Sequence, residues 1–157
     1  MPITLQGFFV YLTGLILTPF WAGMAMALYL LMGILGLPVF AQGASGLSVV
    51  TGPTGGYLIG FVLGAMLLSR LTRSARQEAA TRPRGVTARA VIPGLLACSS
   101  VMLTLGAAWG KWVTQQDWPT ILSAWVWPLL PGSVIKMSLA LLVGTELLRK
   151  RSAWIAD

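Results

Sequence analysis

Lys136 is the only basic residue between Trp112 and Glu146, and it closes the run Pro131-Gly132-Ser133-Val134-Ile135-Lys136 in an otherwise apolar stretch. An ammonium near the centre of a bilayer costs about 2.5–3.5 kcal/mol on insertion scales. Leu148, where the apolar stretch ends, is roughly three helical turns away, too far for the side chain to snorkel to that interface. If a helix starts after Pro131-Gly132, Ser133 suits its N-cap and Lys136 falls in its first turn. Free N–H groups, the positive end of the helix dipole and the ammonium would then form an anion site apt for a carboxylate. The competing reading is a lysine that reaches outer headgroups.

A second constellation is rich in glycine. It reads Gly36-Leu37-Pro38-Val39-Phe40-Ala41-Gln42-Gly43, then Gly52-Pro53-Thr54-Gly55-Gly56-Tyr57-Leu58-Ile59-Gly60-Phe61. Glycine lets backbone approach a ligand or a neighbouring helix without obstruction, and irregular backbone at membrane depth must be buried in protein or line a cavity. Two uses compete, a pocket wall with a lid and close helix packing. Packing suits Gly60 and Gly64. A pocket suits Gly52 to Tyr57, which makes Thr54, Gly55, Gly56 and Tyr57 candidate binding residues beside Ser133 and Lys136.

Other chemistries are excluded by what the chain lacks. It has no His and a single Cys, Cys98, so zinc sites, intrachain disulfides and the usual catalytic triads are out of reach. Cys98 lies in an apolar run beside Ser99 and Ser100 and reads as a small packing residue. No Gly-Lys-Ser/Thr ending marks a phosphate loop, so the chain cannot use ATP itself. Glu146 is placed to pair with Arg149 or Lys150 along a helix. No paired carboxylates or activated nucleophile remain, and an enzyme is not expected, nor is a metal or cofactor. The net charge is +7, but the basic residues form two clusters rather than a broad face, which argues against nucleic acid.

These groups must be positioned by elements that live in lipid. From Met1 to Ser69 there is no Asp, Glu, Lys, Arg or His, whereas a water-facing surface is normally rich in charge. The expectation is an all-α integral membrane protein, a helical bundle of five transmembrane spans forming one domain over 1–157. A span needs about 20 apolar residues. The candidate stretches are Leu5 to Leu17, Phe20 to Leu37, Tyr57 to Leu71, Ala90 to Val113 and Ile121 to Leu148. Arg70, Arg73, Arg76, Arg82, Arg84 and Arg89 mark a basic loop, 72–89, and Arg149, Lys150 and Arg151 follow the last stretch. The positive-inside rule puts both clusters, and the C-terminus, in the cytoplasm. The glycine-rich loop and the segment Thr114 to Thr120 then face outward, flanked by Trp109, Trp112, Trp118, Trp125 and Trp127 as an aromatic belt. This arrangement leaves Met1 outside, which suggests an absent upstream helix; a true five-span chain with its N-terminus outside is the other possibility.

The sequence resembles the BioY family of biotin transporters, the substrate-capture components of energy-coupling-factor transporters. The resemblance rests on Pro2-Ile3-Thr4-Leu5-Gln6, Gly36-Leu37-Pro38-Val39-Phe40, the specific Gly52-Pro53-Thr54-Gly55-Gly56-Tyr57 run and the segment ending in Lys136. It implies a six-helix bundle in the bacterial cell membrane that captures biotin from outside, with Lys136 and position 133 facing the ligand. It also implies as partners a transmembrane coupling subunit and a pair of ABC ATPases. Biotin's apolar ring and chain would pack on Tyr57 and the tryptophans. Two departures stand out: the family's opening helix is missing, and Ser133 occupies the place of its usual Asp, leaving Lys136 without an anionic neighbour. Two other functions compete with biotin capture, a carrier for another small carboxylated solute and a non-transporting membrane scaffold or assembly protein.

Overall fold

The protein's structure is a computed structural model that describes residues 4–75, 77 and 88–156, with side chains in the last stretch over 89–148. Pro2, Ile3, Arg76, Glu78, Arg82 and Arg84 lie outside the described residues, as do most of the expected loop 72–89 and the side chains of Arg149, Lys150 and Arg151. The described residues form helices α1 (Gln6–Ile16), α2 (Pro19–Ile34), α3 (Leu47–Thr51), α4 (Gly55–Leu71), α5 (Ala88–Thr114), α6 (Trp118–Ile121) and α7 (Leu129–Ala156). There is also a 3-10 turn at Ala41–Gly43 and a π turn at Leu122–Val126. No strand occurs among the described residues.

Local chemistry sets the boundaries. Thr18 is extended and Pro19 opens α2, the arrangement that a residue before proline and a proline at the first helical position both favour. Gly36, at φ +102°, ends α2. Its N–H donates to the Gly33 carbonyl at 3.2 Å and the N–H of Leu37 donates to the Met32 carbonyl at 3.1 Å. This is a Schellman stop, so α2 ends at Ile34 and not at Leu37 as the apolar run suggested. Of the apolar helices, Arg89–Thr114 and Leu129–Leu148 are long enough to cross a membrane, with mean hydropathy 1.8 and 1.3, while α1, α2 and α4 are shorter.

The bundle is organised around α4, which packs against α5, α2 and α1, while α7 lies mainly against α1. Gly56, Gly60 and Gly64 recur every fourth residue and so share one face. A Cβ on Gly56 would strike the Leu105 carbonyl and Trp109; on Gly60 it would come within 2.9 Å of the Met102 Cα; on Gly64, within 3.0 Å of the Cys98 sulfur. The stripe lets α4 and α5 meet at backbone distance, which is how helices associate where lipid supplies no hydrophobic drive. Cys98 is fully buried there, as its apolar surroundings suggested.

Large apolar side chains cover the outside, among them Phe20, Trp21, Leu28, Leu31, Val134, Ile135, Leu139 and Leu142. An exposed apolar surface this extensive needs an apolar solvent, which fits a membrane protein.

Candidate functional site

Helix α7 starts at Leu129, four residues before Ser133, where the sequence reading placed its cap. Pro131 is its third residue, where an amide has no intrahelical acceptor and a missing N–H does no harm. Ser133 is therefore in the second turn and is not an N-cap, and the idea of a free helix end at Ser133 is corrected. The anion-attracting group that remains is Lys136 itself.

Helical side chains lean toward the amino end. For Lys136 that direction leads back toward the loop end of the bundle. Its Cδ and Nζ lie 3.5 and 3.9 Å from the position a Cβ on Gly7 would take. The lysine thus lies along the open face of α1, with its ammonium at the wall of a cavity of about 300 Å³. That volume is at the lower end of the range for small-molecule sites. Lys136 has no carboxylate partner among the described residues.

The cavity lies between the start of α1, the loop after α2, the starts of α4 and α7, and the middle of α5. Phe40, Leu58, Phe61, Met102, Leu103 and Leu129 give it apolar walls; Ser99, Ser133 and Lys136 are polar groups from α5 and α7. The hydroxyl of the buried Tyr11 faces Ser99 and Ser133 from behind.

Several polar side chains at the rim are committed to the protein. Gln6 Nε2 donates to Tyr29 Oη at 2.6 Å and to the Val39 carbonyl at 3.3 Å, and Tyr29 Oη donates to the same carbonyl at 2.8 Å. Thr4 Oγ1 donates to Gln6 Oε1 at 3.0 Å. Phe40 fills the space where Gly33 lacks a side chain, and the N–H of Gly46 donates to the Gly33 carbonyl at 2.7 Å. These contacts fasten the loop over the cavity. Thr54 Oγ1 donates to the Val49 carbonyl at 3.4 Å. Tyr57 Oη donates to the Trp125 carbonyl at 3.0 Å, within the π turn where the regular ladder is interrupted.

Of the six residues singled out from sequence, Thr54, Tyr57, Ser133 and Lys136 line this one cavity. Gly55 and Gly56 do not. A Cβ on Gly55 would run into the Val50 carbonyl, and Gly56 belongs to the stripe against α5, so both serve close packing rather than the pocket wall. The tryptophans are also absent from the lining: Trp109 Nε1 donates to the Gly52 carbonyl at 2.9 Å, and the Trp125 ring covers Gly110. Trp112, Trp118 and Trp127 are exposed. The aromatic walls are Phe40, Tyr57 and Phe61 instead. Sequence reasoning missed Tyr11, Ser99, Gln6 and Gln42. The available signal for Gln6 and Gln42 was their rarity as amides in an uncharged, apolar stretch.

The BioY family model matches residues 1–153. The biotin transporter BioY2 of Lactococcus lactis subsp. cremoris is 34% identical over 152 residues, 97% of this chain and 79% of that protein. The biotin transporter BioY of Thermotoga maritima is 42% identical over 95 residues, 60% of this chain and 56% of that protein. A solved S-component for biotin from an ECF-type ABC transporter shares the fold, with a TM-score of 0.80 at 24% identity over 94% of this chain and 75% of that one.

Proposed function

The chain belongs to the BioY family, and from that membership we propose that it is the membrane substrate-binding component of biotin uptake, a carrier and not an enzyme. It captures biotin at the outer face of the bacterial cytoplasmic membrane for an energy-coupling-factor transporter of the ABC type. The observation that carries this reading is Lys136, an ammonium with no counter-ion among the described residues, set at an apolar-walled cavity under a fastened loop. An apolar cavity with a few fixed polar groups suits a guest that is mostly hydrocarbon with polar ends. Lys136 supplies the charge, Ser133 a hydrogen bond, and Thr54 and Tyr57 part of the wall.

The five apolar helices α1, α2, α4, α5 and α7 are the five spans of a single substrate-binding domain over 1–157. The basic segment 72–89 is its cytoplasmic loop, and the C-terminus is cytoplasmic by the positive-inside rule. The partners are a transmembrane coupling subunit and a pair of ABC ATPases, since the chain has no phosphate loop of its own.

The test is direct binding. Purified protein in detergent, equilibrated with labelled biotin, is expected to retain it with one-site stoichiometry, and excess unlabelled biotin to displace it better than analogues lacking the carboxylate or the ureido group. No retention, or equal displacement by any apolar acid, refutes the reading.

A further inference from the structure

Four backbone positions in the loop after α2 and its flanks matter here: Gly36, Gly43 and Gly46 have φ of +102°, +72° and +94°, and Gln42 has φ 60°, ψ 24°. The left-handed region is open to glycine and disfavoured for a residue with a Cβ. This loop uses glycine at three such positions and holds a side chain at the fourth against its conformational preference; Gln115, at φ 55° after α5, is the other such non-glycine residue among the described residues and does not line the cavity. Such outliers persist when the surroundings over-determine them, and they concentrate at ligand sites.

Gln42 lines the same cavity as Lys136. The other rim groups are committed: Gln6 to Tyr29 and Val39, Thr4 to Gln6, Thr54 to Val49, and Tyr57 to Trp125. The Gln42 carboxamide has no hydrogen-bond partner among the described residues. It therefore brings an uncommitted donor and an uncommitted acceptor to the mouth of the cavity, on a loop whose neighbours Val39 and Phe40 are tied to α2.

We infer that Gln42 is a ligand-contacting, specificity-determining residue: its carboxamide hydrogen-bonds the polar end of the guest that faces the loop. The inference rests on the biotin reading above. A carboxamide can donate to a carboxylate or a carbonyl and accept from an N–H, so it complements either polar end of such a guest.

The test compares Gln42→Gly, Gln42→Ala and Lys136→Met in the purified full chain, with biotin affinity and thermal midpoint measured together. Gln42→Gly removes the amide and relieves the backbone; Gln42→Ala removes the amide and keeps the strained φ. Both are expected to weaken biotin binding about fivefold to tenfold, the loss of one neutral hydrogen bond. The glycine variant is expected to melt a few degrees higher than the parent and the alanine variant not to. If position 42 acted only through the loop backbone, affinity would follow stability and the two variants would diverge. Unchanged affinity in both, with Lys136→Met weakened, overturns this inference alone. A parent chain that binds no biotin overturns the functional reading and this inference with it.

Discussion

Replacing Lys136 by Met should move binding and stability in opposite directions. Methionine keeps an unbranched stem along Gly7, where the lysine Cδ now lies 3.5 Å from the missing Cβ position, and removes the charge. A hydrogen bond to a charged group contributes about 1.5–3 kcal/mol, so biotin affinity should fall roughly 10-fold to 150-fold. The empty protein should not suffer, because an ammonium without a counter-ion in an apolar setting is a cost that the substitution removes. Ligand-induced thermal stabilisation gives the cleanest assay. With biotin at about 100 times the parent's dissociation constant, binding adds ~2.7 kcal/mol. A variant weakened about 100-fold sits near its own midpoint of saturation and gains only ~0.4 kcal/mol. For a chain of this length 1 kcal/mol corresponds to roughly 2–4 °C, so a shift of about 5–11 °C should collapse to about 1 °C. A biotin-induced shift of parental size in Lys136→Met would refute the role of the ammonium. An empty variant that melts well below the parent would refute the claim that the charge is there for the ligand rather than for the fold.

Three further outcomes are expected. Ser133→Asp places a carboxylate one turn from Lys136 on the cavity face and should tighten biotin binding about tenfold by a charge-assisted hydrogen bond; equal or weaker binding of labelled biotin would contradict this. Tyr57→Phe removes the bond to the Trp125 carbonyl and should destabilise the protein by about 1 kcal/mol while leaving biotin affinity within about twofold, since that hydroxyl is already engaged; strong loss of affinity at parental stability would show the hydroxyl serves the ligand. Gly33→Ala sets a methyl group against the Phe40 ring and should destabilise by about 1–3 kcal/mol, with faster hydrogen exchange at residues 37–46; unchanged exchange there would mean the ring does not hold the loop.

Much of this architecture was readable from residue types alone. The absence of charge before Arg70 identified lipid as the solvent. The apolar runs located α1, α2, α4 and α5 to within a few residues, because a run of this kind has no stable form in lipid other than a helix; the last run, Ile121 to Leu148, begins eight residues before α7. Gly60 and Gly64 read correctly as packing, since spacing by four is a one-dimensional signal. Gly55 and Gly56 did not: whether a glycine faces a cavity or a neighbour depends on what lies across from it, and Val50, Leu105 and Trp109 are brought there only by the tertiary fold. The start of α7 was misplaced because proline was taken as a stop, although in a first turn it is tolerated. Lys136 was legible as an isolated charge, but its rise along Gly7 was not, because α1 and α7 are more than a hundred residues apart in the chain. The rim network of Gln6, Tyr29 and Val39 joins three separate segments and left no local trace.

The unpaired ammonium at the cavity wall also bears on how the carrier feels voltage. On the proposed reading, a monovalent acid in the cavity would cancel the ammonium and leave the loaded site electroneutral, whereas the empty site would carry one positive charge. Moving an elementary charge through 100 mV is worth about 2.3 kcal/mol. The membrane potential therefore acts on the vacant site and leaves the filled one nearly untouched, so any step that shifts this region within the bilayer is electrogenic only without cargo.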